Sequence, residues 1–297
     1  MSEDSGHSKL FCFGYGYVCD YLTNALRQEG NWDIAGTTRD NEKRRFLRAE
    51  RKVEAYLFDY EKPLADPLYF LKDVTHLLIS TPPADAGDPS FLMHGIDITK
   101  LENLKWVGYL STIGVYGDRN GEWVDEESEI RPSSKRGSRR AKSEAQWMSL
   151  FRDMGVPVHI FRLAGIYGPG RSALDTVKTG AARRVDKPGH AFNRIYINDL
   201  VKILKASIDN PNAGNIYNVA DDRATPSHEV IEYACNLLDI EVPPLQSFSQ
   251  ADLAPIARSF YKDNKRVHND KIKQDLGVSL DYPDYKSGLD HCLELEG

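Results

Sequence analysis

The sequence predicts an α/β protein built on a doubly wound parallel sheet, and three observations support this fold class. In the first half of the chain, short runs rich in β-branched and aromatic residues alternate with helical patterns of about 10–15 residues, as in βαβ units. Two glycines follow the first of these runs at once. The run LKWVGYLS, at residues 104–111, is almost continuously apolar, as expected of a strand that is buried on both faces.

The predicted elements follow in chain order. Hydrophobic runs predict strands at residues 9–13, 32–38, 53–58, 74–80, 104–111 and 156–163. Apolar residues at Val18, Leu22 and Leu26 recur at every fourth position, which is the period of a helix face. Similar patterns predict helices at residues 18–28, 40–50, 138–154, 198–208, 227–238, 265–276 and 285–293.

The glycines after the first strand are the strongest indication of function. The segment KLFCFGYGYVCDYL places Gly14 and Gly16 between a strand and a helix. Gly14 allows a tight turn, and Gly16 lets the backbone approach a pyrophosphate at the helix N-terminus. Cys19 stands where the motif G-x-G-x-x-G has its third glycine, and a small thiol is tolerable there. The sequence thus predicts a Rossmann-type nucleotide site with Gly14, Gly16, Tyr17 and Val18 as contacts; the alternative is a tight turn without a ligand.

The end of the second strand bears on the choice of cofactor. An acidic residue at this position binds the ribose hydroxyls of NAD, whereas an arginine accommodates the 2′-phosphate of NADP. Here Thr38 stands where the acid is expected, Arg39 follows it, and Lys43 lies one helical turn further on. Asp40 is a competing acid, which we interpret as a helix N-cap. NADP(H) is therefore the preferred cofactor, and NAD(H) is the alternative.

Further cofactor contacts are expected after later strands, because ligands gather at the carboxyl ends of parallel strands. Asp59 follows the third strand and either faces an adenine edge or serves as a turn residue. Thr81 and Pro82 follow the fourth strand and line the other side of the cofactor. Residues 1–165 then form the NAD(P)-binding domain, its sheet completed by later segments, and residues 166–297 form mostly a small C-terminal α/β substrate-binding lobe.

Five motifs follow one another along the chain. After the glycines come LSTIGVYGDRNGEWVDE (residues 110–126), FRLAGIYGPGR (161–171), NRIYINDLVKIL (193–204) and GNIYNVADD (214–222). Together, over about residues 9–280, they resemble the extended short-chain dehydrogenase/reductase superfamily, the NAD(P)-dependent epimerase/dehydratase group. Within it, the chain is similar to the atypical YeeZ-type subgroup.

This resemblance implies an oxidoreductase or epimerase that acts on a sugar nucleotide or another polar carbonyl compound. Thr112 matches the catalytic Ser/Thr whose hydroxyl binds the reacting oxygen of the substrate; the alternative is a strand residue satisfied by the backbone. The family also has a catalytic Tyr-x-x-x-Lys, in which the lysine lowers the pKa of the tyrosine. Lys142 matches the lysine, but Ser138 stands at the tyrosine position, and its hydroxyl is far too weak an acid to replace a phenol.

The missing tyrosine leaves three hypotheses open. Tyr116 acts as the acid or base if a cation lies near it, or else is a packing and substrate-lining residue. The basic run Lys135, Arg136, Arg139 and Arg140 brings an arginine into the site to polarise a carbonyl, or else is a solvated helix face. The third hypothesis is a catalytically inactive NADP(H)-binding redox sensor or regulatory protein.

The substrate side of the site is expected in the second half of the chain. Tyr167 and Arg171 follow the sixth strand and either border the substrate cleft or form a simple turn. In the resembling enzymes the C-terminal lobe holds the phosphates of a nucleotide sugar. Arg194, Lys265 and Arg266 are the cationic candidates for such a contact, with surface charge as the alternative, and we select Arg194 as a substrate residue.

Composition and motif content exclude other classes of function. The 297 residues include 38 Lys plus Arg against 44 Asp plus Glu, and a net charge of −6 argues against a nucleic-acid-coating protein. No apolar run approaches the ~18 residues of a membrane span, and the first residues lack signal-peptide order. Four scattered cysteines and eight histidines show no metal-ligand spacing, and no G-x-S-x-G elbow indicates a hydrolase. We expect a cytoplasmic protein with no metal and neither nucleic-acid nor membrane partners.

The predicted helix at residues 138–154 bears on oligomeric state. Its apolar stripe comprises Ala141, Ala145, Met148 and Phe151, widened by Trp147, Leu150 and Met154. This width exceeds what one contact with the sheet needs. Because the resembling enzymes pair such helices across a dimer interface, we expect a C2 homodimer.

Overall fold

A computed structural model describes residues 7–296, which divide into two compact units. Unit 1 comprises residues 7–111, 138–161 and 204–216, and unit 2 comprises residues 112–137, 162–203 and 217–296. The sequence predicts one boundary at residue 165, and one break between the units lies close to it, after Phe161. Every break falls within a continuous strand or helix, so no change in composition marks it in the sequence.

Helices and strands alternate through most of the described residues. The strands are β1 (Ser8–Phe13), β2 (Trp32–Thr38), β3 (Glu54–Leu57), β4 (His76–Ile79), β5 (Trp106–Thr112), β6 (Trp123–Val124), β7 (Val158–Leu163), β8 (Gly165–Tyr167), β9 (Arg184–Asp186), β10 (Arg194–Tyr196), β11 (Ile216–Val219), β12 (Leu245–Ser247) and β13 (Arg266–Val267). The helices are α1 (Tyr17–Glu29), α2 (Asn41–Ala49), α3 (Pro67–Leu71), α4 (Pro89–Ile98), α5 (Lys135–Met154), α6 (Ala173–Lys178), α7 (Ile197–Asp209), α8 (Ser227–Leu237), α9 (Pro255–Phe260), α10 (Asp270–Leu276) and α11 (Tyr285–Glu294). A short 3₁₀ helix spans Ile113–Tyr116.

The main sheet has seven strands in the order β11-β7-β5-β4-β1-β2-β3. Its β5, β4, β1, β2 and β3 strands run parallel. The chain moves from β1 outward to β2 and β3 and then returns to β4 on the other side, so the strand order reverses beside β1. Ligands of open parallel sheets bind at such a reversal. The predicted doubly wound, Rossmann-type fold is confirmed.

The boundaries of the predicted elements lie within about two residues of the observed ones except at two helices. The helix predicted from Ser138 begins three residues earlier, because α5 starts at Lys135. The pattern predicts a helix from Lys265, but α10 begins only at Asp270. Arg266 and Val267 instead pair as β13 with β6. The prediction extended the helical pattern toward the N-terminus. A local pattern cannot reveal a pairing with a segment that lies more than a hundred residues away in the chain.

The apolar stripe of α5 is used mainly inside unit 1. Trp147 and Leu150 are buried in the core of this unit, and Met148 and Phe151 pack against that core. The Phe151 ring also fills the space beside Gly214, where a Cβ would lie 2.4 Å from the ring. These contacts within one chain explain most of the width of the stripe, whereas Ala145 and Met154 are exposed. The homodimer stays a prediction.

Unit 2 contains three two-stranded parallel pairs, β10 with β8, β12 with β9 and β13 with β6. A small apolar cluster around Val185, Ala251 and Tyr261 forms part of its core. Among residues 7–296, no helix has both the length and the apolar character needed to cross a membrane.

Candidate functional site

The glycine loop, residues 14–16, connects β1 to α1. Gly14 has φ +83, a backbone conformation that favours glycine. A Cβ at Gly14 would lie 3.0 Å from the Thr81 backbone nitrogen and 3.1 Å from Thr81 Cγ2. The Gly14 N–H donates to Thr37 Oγ1 at 2.8 Å, and the Tyr15 N–H donates to the Thr37 carbonyl at 2.7 Å. The turn is thus held by β2 on one side and by the segment after β4 on the other.

Gly16 is the N-cap of α1, and no side chain caps this helix. The atom nearest to a Cβ placed on Gly16 is the Gly14 carbonyl oxygen, 3.9 Å away, so the space beside Gly16 is open. An uncapped helix N-terminus with an open approach is the arrangement that accepts a pyrophosphate. The loop therefore fits a dinucleotide cofactor. Contacts of Tyr17 and Val18, the first two helical residues, stay predictions.

The end of β2 presents positive charge near this loop. Asp40 caps α2, because its carboxylate accepts the Lys43 N–H at 2.6 Å, and the N-cap interpretation is confirmed. Arg39 is exposed directly before it. The pKa of the Cys19 thiol lies below its ordinary value, chiefly through a hydrogen bond with Cys12 and also through the charge of Lys43. Lys43 is exposed in the first turn of α2, four residues after Arg39.

The two other predicted cofactor segments are held by hydrogen bonds within unit 1. Asp59 Oδ1 accepts two backbone N–H groups of the following turn, each at 2.8 Å, which favours its turn interpretation. Thr81 is buried, and its hydroxyl donates to Asp88 Oδ2 at 3.0 Å. Pro82 is exposed. Thr81 supports the glycine loop from behind, while contacts of Asp59, Thr81 and Pro82 with a cofactor stay predictions.

Lys142, the match to the family lysine, is exposed on α5, and its Nζ donates to the Asp85 carbonyl at 3.2 Å. The neighbouring Arg139 makes an ion pair with the Asp85 carboxylate at 2.7 Å. Arg140 is half-buried and donates to the Leu110 carbonyl in β5 at 2.5 Å. In unit 1 the basic run thus binds the protein itself, which gives no support to a carbonyl-polarising arginine.

Thr112 ends β5 and is half-buried. It caps the 3₁₀ helix that follows, because its Oγ1 accepts the Gly114 N–H at 3.1 Å. The hydroxyl hydrogen is not used in this bond, since the oxygen acts as the acceptor. Thr112 can therefore cap the turn and donate a hydrogen bond to another group at the same time.

Tyr116 is fully buried in unit 2. Its hydroxyl donates to Asn218 Oδ1 at 2.7 Å and accepts from Arg162 at 2.8 Å. A cation does lie beside the phenol, as the acid hypothesis requires. Burial nevertheless outweighs it and raises the pKa of Tyr116 to about 12. We therefore correct the expectation of a reactive Tyr116: the geometry favours the packing interpretation.

The three predicted substrate residues lie in unit 2. Tyr167 is buried, its hydroxyl donates to the Asp284 carbonyl at 3.2 Å, and burial raises its pKa. The exposed Arg171 pairs through its backbone with Gly168 at 2.9 Å, as the turn interpretation predicts. Arg194 donates to two backbone carbonyls, those of Phe192 at 3.1 Å and Thr225 at 2.9 Å. Its guanidinium supports loops of unit 2, so the expected substrate contact of Arg194 lacks support.

Comparisons with known proteins bear on this site. No protein-family model matches the chain. A solved structure of a conserved protein of unknown function from Silicibacter pomeroyi DSS is 44% identical, with a TM-score of 0.88 over 97% of this chain and 98% of that one. Protein YeeZ from Escherichia coli K12 is 26% identical over 288 residues, which cover 93% of this chain and 97% of YeeZ.

This chain belongs to the same family as the Silicibacter pomeroyi protein, and it is similar to YeeZ. The resemblance predicted from its motifs is confirmed. A UDP-glucuronic acid 4-epimerase from Bacillus cereus, solved in complex with UDP-glucuronic acid and NAD, has the same fold, with 15% identity and a TM-score of 0.75 over 97% of this chain and 99% of that one.

The sequence analysis did not identify two buried carboxyl groups of this YeeZ-like protein, those of Asp88 and Asp221. Asp88 is fully buried beside Thr81, and burial raises its pKa. Its N-cap role was readable from Asp88-Pro89, because proline favours the first helical position. Asp221 lies two residues after the end of β11, and burial raises its pKa to about 8. The acidic ending of the YNVADD stretch is the one signal for Asp221, and nothing in it indicates burial.

Proposed function

We propose that this YeeZ-like protein binds NADP(H) and acts as an oxidoreductase or epimerase on a sugar nucleotide or a similar polar carbonyl compound. The observation that carries the proposal is the open, uncapped N-terminus of α1 beside Gly16. The Bacillus cereus epimerase, whose structure contains NAD and UDP-glucuronic acid, supports the classes of cofactor and substrate.

The preference for NADP(H) over NAD(H) is supported by the end of β2. Arg39 is exposed there, and Lys43 is exposed one helical turn further on, in the first turn of α2. Asp40, the acid that could bind a ribose diol, instead uses its carboxylate to cap α2. Two cations favour the 2′-phosphate of NADP(H). The ribose hydroxyl groups of NAD(H) would need a carboxylate, and the carboxylate of Asp40 is already used by its capping bond.

The residues of the chain then have separate roles in binding the cofactor and the substrate. When bound, the nicotinamide supplies or accepts a hydride. Gly16 and the N-terminus of α1 hold the pyrophosphate, and Arg39 and Lys43 bind the 2′-phosphate. Thr112 donates its hydroxyl hydrogen to the carbonyl oxygen of the substrate and so orients and polarises it. Lys142, which matches the family lysine, supplies positive charge to the proposed site.

The decisive test is a Gly16→Val variant. The extended backbone at Gly16 and the open space beside it let the folded chain accept a side chain. The valine would occupy the approach of a pyrophosphate, so calorimetric titration should show the loss of NADPH binding. Gly30→Val is the matched control, because Gly30 also caps a helix end in extended backbone. Unchanged affinity in Gly16→Val, with normal circular dichroism, would refute the site.

A second candidate function is a catalytically inactive NADP(H)-binding sensor or regulatory protein. Ser138 at the family tyrosine position and the buried, high-pKa Tyr116 favour it. An assay that follows NADPH absorbance with a panel of sugar nucleotides and small carbonyl compounds separates the two. Turnover of any panel compound supports the enzyme, whereas tight NADPH binding without turnover of any supports the sensor.

We also propose a cytoplasmic homodimer. Helix α4 leaves Leu92, Met93 and Ile96 exposed, and Ile96 is 75% exposed. Such an apolar face on one helix suits contact with a second copy of the chain. All four cysteines are buried free thiols, as expected in a reducing compartment.

A further inference from the structure

The glycine loop is in close contact with the two residues that follow β4, Ser80 and Thr81, which we name the β4 turn. A Cβ at Gly14 would lie 3.0 Å from the Thr81 backbone nitrogen and 3.1 Å from the Ser80 carbonyl carbon. The Ser80 N–H also donates to the Phe13 carbonyl at 2.9 Å, at the end of β1. Because the β4 turn packs this closely against Gly14, a displacement of the turn would displace the glycine loop.

The Thr81 side chain joins the β4 turn to the start of α4. Its hydroxyl donates to Asp88 Oδ2 at 3.0 Å and lies 3.1 Å from Ser90 Oγ. Since a hydroxyl group has one hydrogen, the second of these bonds is donated by Ser90. Asp88 and Ser90 are both fully buried. The β4 turn is thus held by two buried hydrogen bonds, one of which ends on a carboxyl group.

Asp88 is held in turn by α4 and α5. Its Oδ1 accepts the Phe91 N–H at 3.0 Å and so caps α4. Its backbone N–H donates to Gln146 Oε1 on α5 at 3.2 Å. A side chain that is held in this way has few other positions, so it can fix the position of the group that it binds. Asp88 therefore connects the β4 turn to two helices of unit 1.

The other side of the glycine loop is held by β2. The Gly14 N–H donates to Thr37 Oγ1 at 2.8 Å, and the Tyr15 N–H donates to the Thr37 carbonyl at 2.7 Å. Gly14 thus lies between Thr37 and the β4 turn. Gly16, the N-cap of α1, follows two residues later. The position of the proposed pyrophosphate contact therefore depends on both sides of the loop.

We propose that Asp88 is a positioning residue for the dinucleotide: through Thr81 it fixes the β4 turn and so the arrangement of the glycine loop. This inference rests on the proposed function, because the ligand is the dinucleotide assigned to this loop. Asp88 is fully buried, so it acts through Thr81 and not by contact with the ligand. Without its bond to Thr81, the loop adopts further arrangements beside the one that binds the pyrophosphate. The affinity then falls, because the binding arrangement is less populated.

The first test needs no nucleotide. Asp88→Ser keeps an oxygen that can cap α4 but removes the carboxyl oxygen that accepts from Thr81. Hydrogen exchange followed by mass spectrometry should show that the glycine-loop peptide exchanges at least about threefold faster than in the wild type. Asp66→Ser is the matched control, because Asp66 also caps a helix that begins with proline, which is Pro67 in α3. Equal exchange in all three proteins would overturn the role of Asp88, whether or not the protein binds NADPH.

The second test measures the dissociation constant of NADPH by calorimetric titration. Thr81→Val removes the hydroxyl and keeps the size of the side chain. This variant should raise the dissociation constant by about threefold to tenfold, the scale of a residue that acts on a site indirectly. Thr81→Ser keeps both the hydroxyl and the backbone of the β4 turn, so it should bind NADPH nearly as the wild type does.

Thr75→Val is the matched control for the loss of a buried hydroxyl. Thr75 is buried, and its Oγ1 accepts the Lys9 N–H at 2.9 Å, at the other end of β1 from the glycine loop. Both valine variants should lose stability in urea unfolding, but only Thr81→Val should lose affinity. Equal affinities of the two valine variants would show a merely structural role of Thr81 and overturn the proposal.

The variant that combines Asp88→Ser with Thr81→Val tests whether the two residues act together. It should lose no more affinity than the weaker-binding single variant, because both changes break the same bond. Additive losses would show that Asp88 does not act through Thr81 and would overturn the proposal. Absence of NADPH binding in the wild type would instead refute the proposed function, and the exchange result would then decide whether Asp88 fixes the loop.

Discussion

Arg162 donates a hydrogen bond to the Tyr116 hydroxyl at 2.8 Å, and its guanidinium carbon lies 5.0 Å from the centroid of the same ring. The phenol donates a hydrogen bond to Asn218 Oδ1 at 2.7 Å, and all three side chains are buried. Burial raises the pKa of the phenol to about 12, so this tyrosine releases its proton less readily than an exposed one. This relationship makes Tyr116 a structural group of unit 2 rather than a substitute for the missing family tyrosine.

Tyr116→Phe should therefore lower stability and leave NADPH binding intact. In the variant, a buried N–H of Arg162 and the Asn218 oxygen lose the hydroxyl group that both of them bind. This loss lowers the free energy of unfolding by about 1–3 kcal/mol. Urea unfolding monitored by circular dichroism measures this loss. Tyr69→Phe, at a tyrosine that is 64% exposed, is the control and should change little. An unchanged unfolding midpoint together with a large loss of turnover would restore Tyr116 as the acid.

Arg39→Ala should weaken NADP(H) binding more than NAD(H) binding, because only NADP(H) carries the charged 2′-phosphate. Loss of one charge-assisted contact corresponds to a selectivity change of about 10- to 100-fold. Calorimetric titration with both cofactors measures it. Arg45→Ala, at an exposed arginine of α2, is the control for the loss of one positive charge. Equal losses for NADP(H) and NAD(H) would remove Arg39 from the 2′-phosphate site.

Thr112→Ala should lower turnover by about 10²-fold, the usual scale for removing a group that positions a proton or a carbonyl. Thr112→Ser keeps the hydroxyl and should retain most of the activity. The alanine variant also loses the cap of the 3₁₀ helix, at a cost of about 1 kcal/mol, so unfolding is measured beside turnover. Ser138→Ala should leave turnover nearly unchanged. Full activity in Thr112→Ala would reduce Thr112 to its capping role.

Ile96→Asp should convert the proposed dimer into a monomer. The side chain of Ile96 is 75% exposed, so the folded chain tolerates a carboxylate there, whereas a pairing of two α4 faces does not. Sedimentation velocity at micromolar concentration distinguishes the 33.5 kDa monomer from a species of twice that mass. Ile256→Asp is the matched control, because Ile256 is 62% exposed on α9. A wild-type protein that sediments as a monomer would refute the dimer.

Asp221→Asn should change how stability depends on pH. Burial raises the pKa of Asp221 to about 8, whereas an unfolded chain releases this proton near pH ~4. The folded state therefore binds more protons between these two pH values, and the contribution of Asp221 to stability falls as pH rises through this window. The asparagine side chain does not ionise, so the variant does not lose this stability as pH rises. Its amide oxygen can still accept the Arg223 N–H.

The stability of Asp221→Asn relative to the wild type should consequently rise by about 1–3 kcal/mol between pH 5 and pH 8.5. Urea unfolding at the two pH values measures the difference. Parallel pH profiles for the two proteins would show that the carboxyl group is already ionised at pH 5.

Local sequence determined much of the fold and the beginning of the site. The strands at residues 9–13 and 32–38 are identified by their period and composition and match β1 and β2 closely. Gly14, Gly16 and the N-cap Asp40 were readable because a turn and a helix start depend on neighbours within about four residues. The resemblance of five ordered motifs added the YeeZ-type subgroup, which the similarity to YeeZ then supported.

Tertiary structure alone decided what the charged and polar side chains do. Lys142 binds the carbonyl of Asp85, Tyr116 is paired with Asn218, and Arg194 supports the Thr225 carbonyl. Their partners lie 57, 102 and 31 residues away in the chain. The pKa of a group depends on its burial and on such partners, and neither is encoded in neighbouring residues. A residue type therefore limits the chemistry that a position can perform, but only the packed chain decides whether the group meets a ligand or another part of the protein.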